Sequence, residues 1–387
     1  MSSVDFDLAI CGAGPAGCAL ALLMAQVAPQ PERIALIGNT PLAIDTQLPP
    51  HDPRALALNY GSAALLEQLR AWPQAQAALM DTVHVSQQGR LGRTLIQANE
   101  LDVPYLGGVI RYDRLLKGLH EAVAQSGVQF LMDEVDYEHA ATEGARIRTR
   151  QHGGLQAKLK VISDGHRPQA VQRSYNQAGI ITILRASHPK PGWAFERFTT
   201  TGPFALLPHP DENDLYALVW CMSPSAAAQL AAAPEAEFTA AAQTTFGARM
   251  GQLRVAGERH VFPLNLYAGP SLVNPYTVAI GNAAQTLHPV AGQGLNLGLR
   301  DAAQLSHALR SWIAHPHTDP APLLSRYAQQ RRLDRWRTIG VTDFLPRFFA
   351  TPYSIPQHLG GLGLLTMDVF APARRPLITQ LLQGVRR

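Results

Sequence analysis

Apolar residues near the start of the chain predict a strand, a helix and a second strand in close succession. Phe6–Cys11 is an apolar run with one acidic residue that stops at a cluster of glycines, which is typical of a short buried strand. Ala16–Val27 is apolar on every face of a helix, and Arg33–Ile37 is again a β-type run. This succession is the βαβ unit of a parallel sheet, so the sequence predicts an α/β fold with a Rossmann-like domain.

The hydrophobic pattern changes after residue 173 and returns after residue 268. The further predicted elements are, in chain order, helices over Tyr60–Leu69 and Asp113–Ala124, a strand over Lys158–Ile162, strands over Ile180–Leu184, Phe204–Leu207 and Tyr216–Trp220, an alanine-rich helix over Ala226–Phe246, a strand over Thr277–Ile280 and a helix over Leu295–Ile313. We therefore predict a Rossmann-like domain from 1–173 and 269–325, an inserted α+β substrate domain over 174–268, and a C-terminal helical segment over 326–387.

Composition excludes several classes of protein. Of the 387 residues 46% are hydrophobic and 16% are charged, against roughly 25% charged residues in typical soluble domains. The low charge fraction and the formal net charge of +4 argue against a disordered chain and against nucleic-acid binding. Three cysteines without metal-ligand spacing indicate a reduced, cytosolic setting and no metal site. The apolar stretch 8–28 follows two aspartates and is broken by glycines, so it predicts neither a signal peptide nor a membrane span.

The segment 326–387 differs from the rest of the chain, since it carries ten arginines against three aspartates, mixed with aromatic residues. Two interpretations remain open. The segment is either a helical cap with solvated arginines, or a cap that also contacts an anionic membrane surface.

The turn after the first predicted strand has the spacing of a dinucleotide-binding motif. In Gly12-Ala13-Gly14-Pro15-Ala16-Gly17 the first glycine allows the tight turn, the second lets a pyrophosphate approach, and the third lets the helix pack on the strand. The end of the second strand reads Ile37-Gly38-Asn39, without the acid that usually binds the adenosine ribose. Asn39 is a neutral substitute, Asp45 is a more distant one, and the lost charged hydrogen bond costs roughly 1.5–3 kcal/mol.

The run Gly281–Asn296 places three glycines and a proline between a buried strand and a helix, which favours close approach of a flat ligand. Together with the motif at Gly12 and with Ser163-Asp164-Gly165, this run resembles the FAD-dependent aromatic hydroxylases built like p-hydroxybenzoate hydroxylase. Within them it is similar to the ubiquinone-biosynthesis branch, above all to members that act on a polyprenyl methoxyphenol. The other matching segments are Asp52–Leu58, Ala194–Thr199, Gly202–Pro208, Val219–Cys221, Gly340–Asp343 and Met367–Arg374.

The resemblance implies an FAD site. It assigns Gly12, Gly14, Pro15, Ala16 and Gly17 to the pyrophosphate, Arg54 to the adenosine side, Asp164 and Gly165 to both FAD and the reductant, Gly281 and Asn282 to the ribityl–pyrophosphate region, Pro289 to the isoalloxazine, and Gly292, Gln293, Gly294, Leu295 and Asn296 to its pyrimidine edge. For two of these residues a structural alternative remains: Arg54 as a surface ion-pair partner and Asp164 as a turn cap. A helix that begins near Leu295 would direct its positive end at the negative edge of reduced flavin.

The resemblance also implies a monooxygenase that uses NAD(P)H and O2 through a flavin hydroperoxide to hydroxylate a polyprenylated phenol. It implies a cytoplasmic protein peripheral at the inner membrane, with other ubiquinone-biosynthesis proteins as candidate partners. The candidates for the pocket walls are Phe195, Phe204, Leu206, Leu207 and Trp220, and burial of these residues in the fold core is equally consistent with the sequence. No residue is identified as the catalytic base.

Three departures from the family pattern keep alternatives open. Gly38 replaces the acid, Gly108 stands where many relatives carry a glutamine near the ribityl chain, and Ser163 replaces an alanine. The first two predict weaker retention of FAD. The alternatives are a non-catalytic subunit of a ubiquinone-biosynthesis assembly and an FAD-dependent reductase of isoprenoid chains.

Overall fold

A computed structural model describes residues 4–44, 52–90, 92–136, 145–166, 172–268, 273–274, 276–286, 292–349 and 354–370. Its helices are α1 Pro15–Ala25, α2 Tyr60–Gln68, α3 Tyr112–Ala124, α4 Pro224–Ala232, α5 Glu235–Phe246, α6 Gln293–Ala314, α7 Ala321–Phe349 and α8 Ser354–Val369. Short 3-10 turns occur at Pro31–Arg33, Gln74–Gln76, Ala98–Leu101 and Gly281–Ala283. In the described part of the chain no helix is long and apolar enough to cross a membrane.

The first sheet carries the predicted βαβ unit. Its strands are β1 Phe6–Cys11, β2 Ile34–Gly38, β8 Gln129–Met132, β9 Ala145–Thr149, β10 Gly153–Ile162, β17 Val273–Asn274 and β18 Thr277–Ala279. The strands β18, β10, β1, β2 and β8 are parallel neighbours in that order, while β9 and β17 pair antiparallel at β10 and β18. The α/β fold with a Rossmann-like parallel sheet is confirmed.

The second sheet is antiparallel for most of its width. Its strands are β5 Thr82–Gln87, β6 Arg93–Gln97, β11 Gln172–Ala186, β12 Trp193–Phe198, β13 Pro203–Pro208, β14 Leu215–Met222, β15 Leu253–Val255, β16 His260–Ala268 and β19 Gln285–Thr286. The order across the sheet is β19-β16-β11-β14-β13-β12-β5-β6, with β15 on β11. Strands from before residue 173 and after residue 268 thus join the sheet of the segment 174–268, and the division into domains stays a prediction.

A third, small sheet joins β3 Ala55–Asn59, β7 Gly107–Arg111 and β4 Ala78–Met80. It lies beside the first residues of α6, because the side chain of Asn296 donates a hydrogen bond to the Ala57 carbonyl oxygen over 3.0 Å.

Helices cover one face of each large sheet. The helix α1 packs among α3, α6 and the first sheet, which explains why it is apolar all round rather than amphipathic. The second sheet is covered by two helices, so the single predicted helix over Ala226–Phe246 is wrong. Pro234 caps the start of α5, and because proline lacks an amide hydrogen it separates α5 from α4.

Candidate functional site

A cavity of about 1290 Å³ runs from the turn before α1, past the start of α6, to the inner face of the second sheet and the helix α8. The predicted site residues that line it are Gly12, Gly14, Pro15, Ala16, Asn39, Arg54, Asp164, Gly165, Gly281, Asn282, Gly292, Gln293, Gly294, Leu295 and Asn296. Pro289 lies outside the described residues, as does Asp45. The structure therefore brings most of the residues chosen from sequence to one continuous cavity.

The glycine turn before α1 is built as its spacing predicts. Gly12 has φ +122°, and a Cβ there would lie 2.4 Å from the Asp164 amide nitrogen. A Cβ on Gly17 would lie 1.9 Å from the Gly12 carbonyl oxygen, whereas one on Gly14 would meet no atom within 4 Å. Two glycines thus permit close packing, and the third leaves an open cradle at the positive end of α1. This cradle fits the pyrophosphate of a dinucleotide.

Two side chains that sequence reasoning did not assign to the site hold this turn. The Ser163 hydroxyl lies 3.0 Å from the carbonyl oxygens of both Cys11 and Gly12, and these two acceptors share its one proton. His120 Nδ1 accepts from the Ala43 amide over 2.9 Å, so its Nε2 carries the proton and donates to the Ala13 carbonyl oxygen over 3.1 Å. Burial lowers the pKa of His120, which keeps the ring neutral for both bonds.

The missing acid at position 38 has a steric cause. A Cβ on Gly38 would lie 2.6 Å from Ala13 Cβ and 3.2 Å from the Phe130 ring, so a larger side chain there requires both neighbours to move. Asn39 lines the cavity beside this glycine, and Glu134, which follows the adjacent strand β8, lines it too. Glu134 also pairs with Arg150 over 2.7 Å. An acidic group therefore stands at this edge of the cavity, supplied by a neighbouring strand.

Protein side chains surround the position that a Cβ on Gly108 would take. A Cβ at this position would lie 3.0 Å from the Trp72 ring and 3.5 Å from Leu79. Gly108 is absent from the described lining of the cavity. The indole of Trp72 occupies the space beside the strand, and the weaker retention of FAD expected from Gly108 stays a prediction.

Arg54 reaches the cavity in an ion pair. Its Nε lies 2.8 Å from Oδ1 of Asp52, and its guanidinium lies 4.8 Å from the centroid of the Tyr112 ring. The hydrogen bonds to Asp52 raise the pKa of Arg54. The side chain is 45% exposed and held in place, so it combines the ion-pair role with a position beside the cavity.

The carboxyl ends of β10 and β18 bring two predicted segments together. Asp164 Oδ1 accepts a hydrogen bond from the His166 amide over 2.9 Å, which is the turn-capping role weighed for it. Gly165 has φ +84°, and a Cβ there would lie 3.8 Å from Asn282 Cβ. Parallel neighbours end at the same edge of a sheet, which is why residues so far apart in sequence meet here.

The turn at Gly281 is anchored by buried charges. Asp301 Oδ2 accepts from the Gly281 amide over 3.0 Å and from Gln285 Nε2 over 2.7 Å. Arg331 is fully buried, and its Nε donates to the other oxygen of Asp301 over 2.8 Å while its Nη1 pairs with Asp334. Although burial opposes its charge, these carboxylates raise the pKa of Arg331. The helix α7 therefore positions a turn that lines the cavity.

This network corrects the picture of solvated arginines in the C-terminal segment. Arg331 and Arg335 are buried, and Arg335 donates to the Ala284 carbonyl oxygen over 2.7 Å. Neither contributes to a basic surface. By contrast, Arg326, Arg332 and Arg337 are exposed on α7.

The helix α6 begins at Gln293, two residues earlier than predicted. Gly292 precedes it in the left-handed region at φ +60°, and a Cβ there would lie 3.1 Å from Ala57 Cβ. Asn296 accepts from the Asn59 amide over 2.9 Å and donates to Ala57, so its side chain fixes the helix start. A Cβ on Gly294 would meet nothing within 4 Å. The amides of the first turn lack partners inside the helix and direct its positive end at the cavity.

The inner face of the second sheet is almost entirely apolar. Because strand side chains alternate, Ala205, Leu207 and Val219 face the cavity while Phe204, Leu206 and Trp220 face the opposite side. The second group packs with Phe238 and Phe246 of α5. The wall prediction is therefore right for Leu207 and wrong for Phe204, Leu206 and Trp220. Phe195 borders the cavity, but its ring packs against Phe246 with the second group.

Glu196 is the one ionisable side chain on this face among the described residues that line the cavity. It pairs in register with Ala205 on one side and with Val85 on the other. Sequence reasoning treated the surrounding segment only as a family match. The signal that could have found Glu196 is a charged residue on the face of the strand that it shares with the apolar residues Ala194 and Phe198.

Comparison with known proteins agrees with this geometry. The chain is 27% identical to the 3-demethoxyubiquinol 3-hydroxylase of Escherichia coli K12, over 95% of this chain and 96% of that protein. It is 33% identical to the ubiquinone hydroxylase UbiL of Rhodospirillum rubrum over 57% of this chain and 53% of that protein. The fold is similar to that of the p-nitrophenol 4-monooxygenase PnpA from Pseudomonas putida DLL-E4, with a TM-score of 0.77, 16% identity and all of both chains covered.

A sequence model described as an FAD binding domain matches residues 5–341. That range contains the open cradle at Gly14, the anchored turn at Gly281 and the start of α6. Most of the chain and every described part of the dinucleotide site thus fall within one match, and the chain belongs to the FAD binding domain family.

Proposed function

We propose that this protein is an FAD-dependent aromatic-ring hydroxylase of ubiquinone biosynthesis, which acts on a polyprenylated phenol with NAD(P)H and O2. The observation that carries the proposal is the single cavity that joins a dinucleotide cradle to an apolar sheet face. The hydroxylases among its relatives support the reaction class. FAD, when bound, supplies the reduction of O2 and the transfer of one oxygen atom to the ring.

Each part of the cavity has its own task. The amides at the start of α1 bind the pyrophosphate, and Asn39 and Glu134 stand at the adenosine edge. The amides at the start of α6 stabilise negative charge at the pyrimidine edge of the isoalloxazine. The apolar sheet face excludes water, which would otherwise consume the activated oxygen before it is transferred to the ring.

Glu196 gives the sheet face one polar contact for the substrate. A carboxylate on an apolar wall can accept a hydrogen bond from a phenol hydroxyl and so orient the ring. We propose this positioning role because the residues closest to it in its row across the sheet, Val85, Ala205 and Val219, have no polar side-chain atom. The variant Glu196→Gln should raise KM for the phenol. The factor of this increase should be larger than the factor by which the variant lowers the rate of NAD(P)H oxidation without phenol.

The test is an absorbance spectrum of the purified protein, followed by NAD(P)H oxidation with and without a short-chain prenylphenol under labelled O2. We expect a flavin spectrum, oxidation that the phenol accelerates, and one labelled oxygen atom in the product. A colourless protein that FAD does not reconstitute would favour the non-catalytic subunit. Reduction of the prenyl chain without oxygen incorporation would favour the isoprenoid reductase.

We further propose a cytoplasmic protein that is peripheral at the inner membrane, with an anionic lipid surface as the partner of α7 and α8. Leu333 and Trp336 are 54% and 55% exposed on α7, next to the exposed Arg332 and Arg337. Exposed apolar residues interspersed with arginines are typical of helices that rest on anionic lipid. Other proteins of the same pathway remain candidate partners.

Co-sedimentation with liposomes of increasing phosphatidylglycerol content tests this contact. Binding should rise with anionic lipid and fall in Trp336→Ser, while the control Phe262→Ser, which changes an exposed aromatic residue on β16, should bind as the wild type does. Binding that is indifferent to lipid charge and to Trp336 would refute the contact.

A further inference from the structure

The cavity continues beyond the dinucleotide site into an apolar arm, which the helix α8 covers. We define the arm by Val85, Ile96 and Phe198 on the sheet and by Phe349, Leu364 and Met367 on the helices, all of which line the cavity. Phe198 and Phe349 stack with their ring centroids 4.3 Å apart. The flavin cradle and the sheet wall described above do not require this extension.

The arm starts beside Glu196 and runs across the edge of the sheet. Glu196 is in register with Val85, and Val85 is in register with Thr94 of β6. Neighbouring strands lie about 5 Å apart, so this row extends about 10 Å from Glu196 to the strand beneath α8. A group bound at Glu196 therefore has the arm directly beside it.

The polar groups along the arm are already bonded within the protein. The Thr94 hydroxyl donates to the Leu364 carbonyl oxygen over 2.6 Å, and the Leu95 amide donates to Asp368 over 2.9 Å. These bonds also attach α8 to β6. The described surface of the arm consequently offers hydrocarbon contacts, which suit an apolar chain rather than a second polar ligand.

Glycines on α8 leave an opening at the end of the arm. A Cβ on Gly363 would meet no atom within 4 Å, and Gly363 both lines the cavity and is exposed to solvent. A Cβ on Gly92 would lie 1.9 Å from the Gly361 carbonyl oxygen, so the backbones of β6 and α8 are in close contact. This contact fixes the position of Gly363 at the mouth of the arm, next to the exposed Leu362.

We propose that the apolar arm binds the prenyl chain of the substrate and that Gly363 is the portal through which a long chain leaves the protein. The inference rests on the proposed function for the identity of the ring and adds the site of the chain. Gly363 then determines which chain lengths are accepted, because a bulky side chain there would close the portal without a clash elsewhere.

The test compares Gly363→Phe with the control Gly340→Phe, which adds the same ring at an exposed glycine of α7 outside the cavity lining. The measured quantity is the ratio of kcat/KM for a phenol with four isoprene units to that for a phenol with one. Gly363→Phe should lower this ratio by about tenfold or more, since each buried isoprene unit contributes strongly to binding. Gly340→Phe should keep it. Equal ratios in the two variants would overturn the proposal.

A second measurement separates this proposal from the hydroxylase proposal. Geranylgeraniol carries the chain without the phenol, and its binding is followed by calorimetry with the FAD-loaded protein. Weaker binding to Gly363→Phe than to Gly340→Phe supports the arm even if no phenol is hydroxylated. No binding to the wild type, together with hydroxylation that is independent of chain length, would overturn the arm alone. Gly363→Leu serves as a smaller variant should Gly363→Phe fail to fold.

Discussion

Arg331 offers the sharpest test of how the C-terminal helix α7 supports the flavin site. The variant Arg331→Met keeps an unbranched side chain but removes the charge between Asp301 and Asp334, whose side chains are 2% and 3% exposed. Breaking a buried pair by removing one partner costs about 3–5 kcal/mol, because a buried charge is left uncompensated. We therefore expect the free energy of unfolding to fall by about that amount.

The effect should reach FAD as well as stability. Asp301 accepts the amide of Gly281, and without Arg331 its carboxylate has lost its main counter-charge. The turn at Gly281 should then be less well ordered, and FAD affinity should fall. Urea unfolding monitored by circular dichroism and FAD titration monitored by flavin fluorescence measure the two quantities separately.

A double-mutant cycle provides the control. Asp301→Asn removes one of the two carboxylates, so the double variant Asp301→Asn/Arg331→Met should be destabilised by clearly less than the sum of the single variants. Additive effects within about 0.5 kcal/mol would show that the two groups are not coupled. A loss below about 1 kcal/mol for Arg331→Met would also refute the reasoning.

Three further predictions concern other parts of the molecule. Gly14→Ala should fold like the wild type but bind FAD more weakly, because its methyl group enters the open cradle. Gly12→Ala should also lower the melting temperature, since its Cβ would meet the Asp164 backbone. Equal melting temperatures of the two variants would contradict this prediction. Gly92→Ala should destabilise the contact of α8 with β6 and increase its hydrogen exchange, while Gly361→Ala, whose Cβ would have its nearest contact at 3.5 Å, should not. Burial and the nearby Arg249 lower the pKa of His84 to about 4. As the pH falls, the unfolded chain therefore protonates this histidine before the folded protein does, and the free energy of unfolding should decline from pH 6.5 towards pH 4. The decline should be less steep in His84→Gln, and parallel pH profiles of the two proteins in guanidinium unfolding would exclude His84 as the cause.

The local parts of the site could be predicted from the sequence. The spacing of Gly12, Gly14 and Gly17 identifies both the turn and the task of each glycine, because backbone sterics alone set those requirements. The run after Gly281 was likewise predicted to approach a ligand, and its described residues line the cavity. Its exact helix start was not, since Asn296 and the neighbouring strand β3 hold the first turn of α6 in place.

The non-local parts could not be predicted. Sequence pattern does not show that Arg331 faces Asp301 of a different helix, so a buried ion pair looked like a solvated arginine. Whether Phe204 and Trp220 line the cavity or pack on α5 depends on which face of the sheet meets α5. The alternation of side chains along a strand does not show which face that is. Trp72 fills the space beside Gly108 through a contact between distant segments, which the sequence pattern does not show.

Small residues explain why two helix ends serve one cofactor. A Cβ on Gly298 would lie 3.2 Å from Gly281 Cα and 3.6 Å from Ala16 Cβ, so α6, α1 and the turn between them touch almost backbone to backbone. This contact brings the positive ends of α1 and α6 to the same cavity, the first at the proposed pyrophosphate site and the second at the proposed ring edge. Asp301 and Arg331 then attach the same turn to α7. The flavin site and the C-terminal helices are therefore one mechanical unit, and a change in α7 can alter cofactor binding without touching the cofactor.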